Sequence, residues 1–127
     1  MTISDAAEQA LFGKSLEEKL SVAPIDLQDI SRPSAISSPA APHRPSELAL
    51  SANGVRANFP GVNALDQDRP RGELLHFLAN HELLASELMA LVLLKFPDAP
   101  DAYRRGVYEA MREEQMHTLM YLSLIHI

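Results

Sequence analysis

Glu114 and His117 lie three residues apart in "EEQMH" (residues 113–117), so on a helix they share one face about a turn apart. Together they offer a carboxylate and an imidazole to a common metal ion, although the same spacing also occurs in ordinary solvated pairs. The direction of that face, and the presence of another acid opposite it, separate the two readings. Glu82, in "ANHELLASELM", is the matching acid. At about 100° per residue, its face gathers Leu75, Leu78, Ala79, Ala85, Ser86, Met89, Val92 and Leu93. The face of Glu114 gathers Tyr103, Val107, Ala110, Met111, His117, Thr118 and Tyr121. Each carboxylate therefore sits in an apolar stripe expected to be buried. A carboxylate buried alone is costly, so such a pair must share a proton, find cations or bind a metal.

The elements that position these groups are two helices. From Pro70 to Phe96 leucine and alanine dominate, and a proline suits the first turn of a helix. A second helix is expected from about Asp101, after "FPDAPD". So short a connection makes the helices antiparallel neighbours. Glu82 and Glu114 are equidistant from Asp98, sixteen positions on either side, which sets them at the same height. The fold class is all-α: an antiparallel helical hairpin preceded by a mostly irregular proline-rich arm.

Four segments follow: a short helical head at 1–22, a proline- and turn-rich linker arm at 23–69, the hairpin at 70–121 and a tail at 122–127. In the head, Ser4 is expected to cap a first helical turn and Gly13 to end it in a left-handed conformation. Ser15 and Glu18 have capping-box spacing for a second. Prolines 33, 39, 42 and 45 favour an extended linker or an arm laid over another surface, and Asn53-Gly54 and Pro60-Gly61 read as turns.

The other polar residues have plainer readings. Glu73, Asn80, Glu87 and Lys95 fall opposite Glu82 and are expected in solvent, as are Glu109 and Glu113, with Glu87 and Glu109 able to meet at an edge. Arg105, Arg112 and Glu109 lie away from the Glu114 face, and Arg104 and Arg105 read as a solvated pair. Tyr103 and Tyr121 are expected in the core. His76 and His81 flank the stripe, and His81 is the candidate outer-shell partner of a ligand. His43 carries no signal.

Composition limits the function classes. A net charge of −6 and no basic run argue against nucleic acid or an anionic membrane surface. The absence of cysteine excludes disulfides and thiolate-held metals, leaving iron or manganese, and less favourably zinc, as the ion for oxygen and imidazole donors. The acidic "MTISDAAEQALFGK" lacks the form of a secretory signal, and "LMALVLLKF" is too short to span a bilayer. The expected setting is cytoplasmic.

At "NHELLASELMALVLLKFPDAPDAYRRGVYEAMREEQMHTLMYL" the chain resembles the ferritin-like superfamily, and specifically an uncharacterised bacterial family termed domain of unknown function 455. "ALFGKSLEEKL" followed by a proline-rich arm extends the similarity to the head. The resemblance implies the first half of a four-helix bundle with a two-iron carboxylate site. In such bundles one Glu comes from each of two helices and a Glu-x-x-His from each of the other two. It implies Glu82, Glu114 and His117 as ligands, with iron or manganese as the metal. The missing half is expected from further helices of a longer parent, or from a homodimer through the exposed apolar faces. "LSLIHI" (122–127) matches the translation of a sequencing-library adapter, so this tail is expected to be foreign and His126 no ligand. Three function classes are implied: an oxygen- or peroxide-activating oxidoreductase, an iron-handling protein, and a metal-free structural or interaction bundle.

Overall fold

Thr2, rather than Ser4, opens the first helix, α1 (Ile3–Phe12), in a computed structural model that describes residues 1–37, 41–44 and 61–125. Thr2 Oγ1 accepts from the Asp5 amide while the Asp5 carboxylate accepts from the Thr2 amide, a reciprocal cap. Ser4 is instead buried inside the helix. Gly13 ends α1 at φ −54°, not in the left-handed region. Its role is space: a Cβ there would lie 2.5 Å from the Gln9 carbonyl oxygen. The short α2 (Leu16–Lys19) is capped by Ser15, whose hydroxyl accepts from the Glu18 amide. The Glu18 side chain reaches back one residue further than a capping box requires, to the Lys14 amide.

Two long helices follow a 3-10 turn at Val62–Ala64: α3 (Asp68–Lys95) and α4 (Asp101–Ile125). Pro70 stands in the first turn of α3, and α4 begins at Asp101 as its sequence predicts. Among the described residues there is no strand, and α3 and α4 form an antiparallel hairpin. Taken whole, α3 is long and apolar enough to cross a bilayer on length and composition, which "LMALVLLKF" by itself is not.

The core gathers on one side of this hairpin. Ile3, Ala6, Ala7, Ala10 and Leu11 of α1 pack on Ala90, Leu93 and Leu94 of α3 and on Tyr108 and Met111 of α4. Small alanines let α1 approach closely, and burying this set removes apolar surface at about 25 cal/mol per Å². The buried positions of α4 are Arg104, Tyr108, Met111, Gln115 and Thr118, a seven-residue pattern one step round from the Glu114 stripe. Those of α3 are Ala79, Leu83, Ser86, Glu87, Ala90, Leu93 and Leu94.

The chain after α2 runs over the same side without helix or strand at residues 21–37 and 41–44. Such a segment leaves its carbonyls without ladder partners, and buried carbonyls must be satisfied. Side chains of α4 do this: Arg112 donates to Ala23 O, Tyr108 to Pro24 O, and Arg105 to Ile25 O and Leu27 O. Backbone bonds from Ile3 to Gln28, Ile36 to Leu94 and His43 to Leu11 complete the attachment. Arg105 and Arg112 are thus clamps on the arm. The described part of the arm is a bound strap rather than a loose tether. The expected turn at Asn53-Gly54, and Pro60, Pro39, Pro45 and His126, lie outside the described residues.

Two charged groups expected in water are buried. Glu87, 2% exposed, pairs with Lys19 at 3.0 Å and with Arg44, which also donates to Asn80. Lys19 is 0% exposed, and its Nζ donates at 2.8 Å to both Ala10 O and Leu11 O at the end of α1. Burial lowers the Lys19 pKa, opposed by the Glu87 carboxylate. Glu109 stays exposed and does not meet Glu87. Arg104, 1% exposed, is the second correction: its fork grips Asp29 at 2.9 and 3.1 Å, and Nη1 donates to Leu93 O and Phe96 O. Burial raises the pKa of Asp29, but Arg104 and Arg32 outweigh it and hold the carboxyl below its usual range. Tyr103 is exposed, and Tyr108 is the buried aromatic of α4.

Candidate metal centre

Glu82 stands near the middle of α3 and Glu114 near the middle of α4. The antiparallel register brings them to the same height, and His117 follows one turn after Glu114. One donor atom from each of Glu82, Glu114 and His117 lies within 4.8 Å of the others. His117 Nδ1 is 3.5 Å from Glu114 Oε2 and 3.9 Å from Glu82 Oε2.

These side chains do not occupy a dry interior. Glu82 and Glu114 are about a quarter exposed, at 25% and 24%, and His117 is 48% exposed. The head and strap cover one side of the hairpin, whereas the trio opens on the other. Around it, Leu78, Ala85, Met89 and Val92 of α3 and Val107, Ala110 and Tyr121 of α4 are half-buried. The Glu82-centred and Glu114-centred stripes are therefore apolar but only partly covered.

Glu114 Oε2 is buried and has no hydrogen-bond partner among the described residues. It lies in electrostatic range of His117, but their geometry does not make a hydrogen bond. A buried carboxylate oxygen without a donor is costly, and a cation is a direct way to satisfy it. An ion bound by oxygen and imidazole at about 2.0–2.2 Å brings its ligands nearer to each other than the present spread, a closure within reach of side-chain rotation. The residues present fit one ion. Next on α4, Gln115 donates to Lys19 O at 2.9 Å and Thr118 to Glu114 O at 2.8 Å, tying the turn that carries Glu114 to α2 and to itself.

His81 is exposed, and its ring stacks on Phe77 with centroids 5.7 Å apart. One residue before Glu82 is a rotation of about 100°, which carries it off the α3–α4 seam. His76 is likewise exposed. Residues not foreseen are those of the covered side: Lys19, Arg44 and Asp29, with Glu87 and Arg104. Their signal in the sequence is weak. Arg104 belongs to a heptad whose other members are Tyr108, Met111, Gln115 and Thr118, and only the middle of that series is strongly apolar.

A family described as Protein of unknown function (DUF455) matches residues 4–126. The chain belongs to that family. No curated protein and no solved structure matches it. The DUF455 match takes in head, strap and hairpin together, so Lys19, Asp29 and the helices they fasten belong to one family unit. It also runs across residues 122–126, and Leu122–Ile125 continue α4 without interruption.

Proposed function

We propose that this DUF455 chain supplies half of a ferritin-like, carboxylate-bridged two-metal centre, with iron as the favoured ion and manganese as the alternative. The observation that carries this reading is the trio itself: two carboxylates and an imidazole within 4.8 Å, one carboxylate oxygen being buried without a partner. Hard oxygen donors with a single imidazole suit these ions, and the chain has no thiolate to favour softer ones. Glu82 and Glu114 would hold the metal through carboxylate oxygens and His117 through a ring nitrogen. When bound, a reduced pair of iron ions supplies electrons to dioxygen or peroxide. The apolar side chains beside the trio, Ala85, Met89, Val107 and Ala110, would limit water access once covered. The activity proposed is accordingly that of an oxidoreductase, in the cytoplasm, with its organic substrate unspecified.

A metal-free bundle is the second reading, and one observation favours it. His117 Nδ1 lies 3.5 Å from the Glu114 carboxylate and 3.9 Å from that of Glu82, so the imidazole itself faces both acids. Anaerobic equilibrium dialysis against ferrous iron distinguishes the two. The metal reading expects binding by the wild-type chain and a loss of about tenfold or more in affinity for each of Glu82→Ala, Glu114→Ala and His117→Ala. Equal iron content in all four proteins leaves the metal-free reading.

A further inference from the structure

We propose that Lys19 is a positioning residue for the candidate metal centre: from the covered side of the hairpin it fixes the rotation and register of α3 and α4 that make Glu82, Glu114 and His117 converge. This rests on the metal reading above and adds the part of the chain that governs the site.

The need for such a residue follows from the trio itself. Its three donors come from two helices, Glu82 from α3 and Glu114 and His117 from α4. Side-chain tips stand roughly 5–6 Å from a helix axis, so rotating α4 by about 20° moves a donor atom by about 2 Å. A metal site tolerates deviations of about 0.2 Å. Apolar contacts between helices are not directional, whereas a buried hydrogen bond selects one rotation among several.

Lys19 joins both donor helices from behind. Its Nζ lies 3.0 Å from Glu87 Oε2 on α3 and donates at 2.8 Å to both Ala10 O and Leu11 O at the end of α1. These partners occupy all three ammonium hydrogens. The Lys19 carbonyl in turn accepts from Gln115 Nε2 on α4 at 2.9 Å. Glu87 follows Glu82 by five residues, which is about 7.5 Å along the axis and about 140° round it. Gln115 directly follows Glu114, about 100° round. One residue of α2 is thus fastened close to the donor on each helix, and all three members are buried, Lys19 at 0% and Glu87 and Gln115 at 2% exposure.

The Gln115 amide is an independent sign of a directional role. Its Oε1 is buried with no hydrogen-bond partner among the described residues. An apolar residue between Met111 and Thr118 of the same stripe would pack without leaving that oxygen unmet. What the amide adds is the tie from α4 to Lys19. Glu87 also pairs with Arg44, so removing the Lys19 ammonium leaves the carboxylate a cation.

The test is Mn²⁺ binding by the full chain, at a temperature where circular dichroism shows each variant folded. The readouts are the dissociation constant and the imidazole-nitrogen coupling in electron spin-echo spectra. Lys19→Met and Gln115→Leu leave all three donors in place, and each should lose about tenfold in affinity and weaken the nitrogen coupling. Thr2→Ala, which loosens the far end of α1, should retain both, because lost stability alone does not change binding by the folded chain. Unaltered affinity and coupling in Lys19→Met and Gln115→Leu overturn the positioning role and leave the metal reading standing. Should Lys19→Met not fold, Gln115→Leu decides by the same two readouts. A loss in Thr2→Ala equal to that in Lys19→Met also overturns the positioning role. Absence of bound Mn²⁺ in the wild-type chain, or undiminished binding by Glu114→Ala, overturns the metal reading and the positioning role with it.

Discussion

Arg104 and Arg105 are adjacent and chemically identical, yet the fold gives them different energetic weight. Arg104→Ala removes a 1%-exposed guanidinium that makes two bonds to Asp29 and two to the closing carbonyls of α3, Leu93 O and Phe96 O. Breaking a buried pair by deleting one partner costs about 3–5 kcal/mol. Asp29 is 10% exposed and retains Arg32 at 2.9 Å, which moves the expectation to the lower end, about 3 kcal/mol. Arg105→Ala deletes two bonds from a partly exposed side chain to strap carbonyls, worth about 1 kcal/mol. For a domain of this size each kcal/mol shifts Tm by about 3–5 °C, so losses of about 12 °C and about 4 °C are expected. Thermal and urea unfolding followed by far-ultraviolet circular dichroism measure both. Arg104→Lys should fall between them, because an ammonium cannot reproduce the fork. If the two alanine variants differ by less than the error of the fits, the reasoning about burial is refuted.

Four other outcomes follow from the same structure. Asp29 has a folded-state pKa held below its unfolded value. Its contribution is therefore complete above the unfolded pKa and lost as pH falls through the folded one; Asp29→Asn should flatten that part of the acid-unfolding curve. Gly13→Ala should destabilise by about 1–3 kcal/mol in urea titration, since its methyl would meet the Gln9 carbonyl. Thr2→Ala should cost about 1 kcal/mol through loss of the α1 cap, with Thr2→Ser restoring most of it. Ser31, at φ 54°, should accept glycine with a gain of a few tenths of a kcal/mol, read as a small rise in Tm.

The hairpin was legible because its signals are local. Proline in the first turn of α3, the Phe96–Pro100 connection and the equal spacing of Glu82 and Glu114 from Asp98 fix two antiparallel helices and their register. The facing of those helices was less legible. Alanine and leucine occur nearly all round α3, so a wheel centred on Glu82 and one centred on Ala90 look similarly apolar. Tertiary contact with α1 and the strap decides between them, and it buries the Ala90 side. That choice carries Glu87 inward with Lys19 and Arg44, residues distant in sequence and invisible to helical periodicity. Arg104 gives no sign of its burial for a related reason: its acid, Asp29, lies 75 positions away on an irregular segment. The trio came together because it depends on register alone, whereas its partial exposure depends on which side of the hairpin the head covers.

The most direct measurement is X-ray absorption at the iron edge of the ferrous-loaded chain and of His117→Ala. A first shell of oxygen with one imidazole nitrogen per iron at about 2.0–2.2 Å is expected, its outer-ring scattering being absent in the variant. A shell of oxygen alone, identical in both proteins, contradicts a metal centre at Glu82, Glu114 and His117.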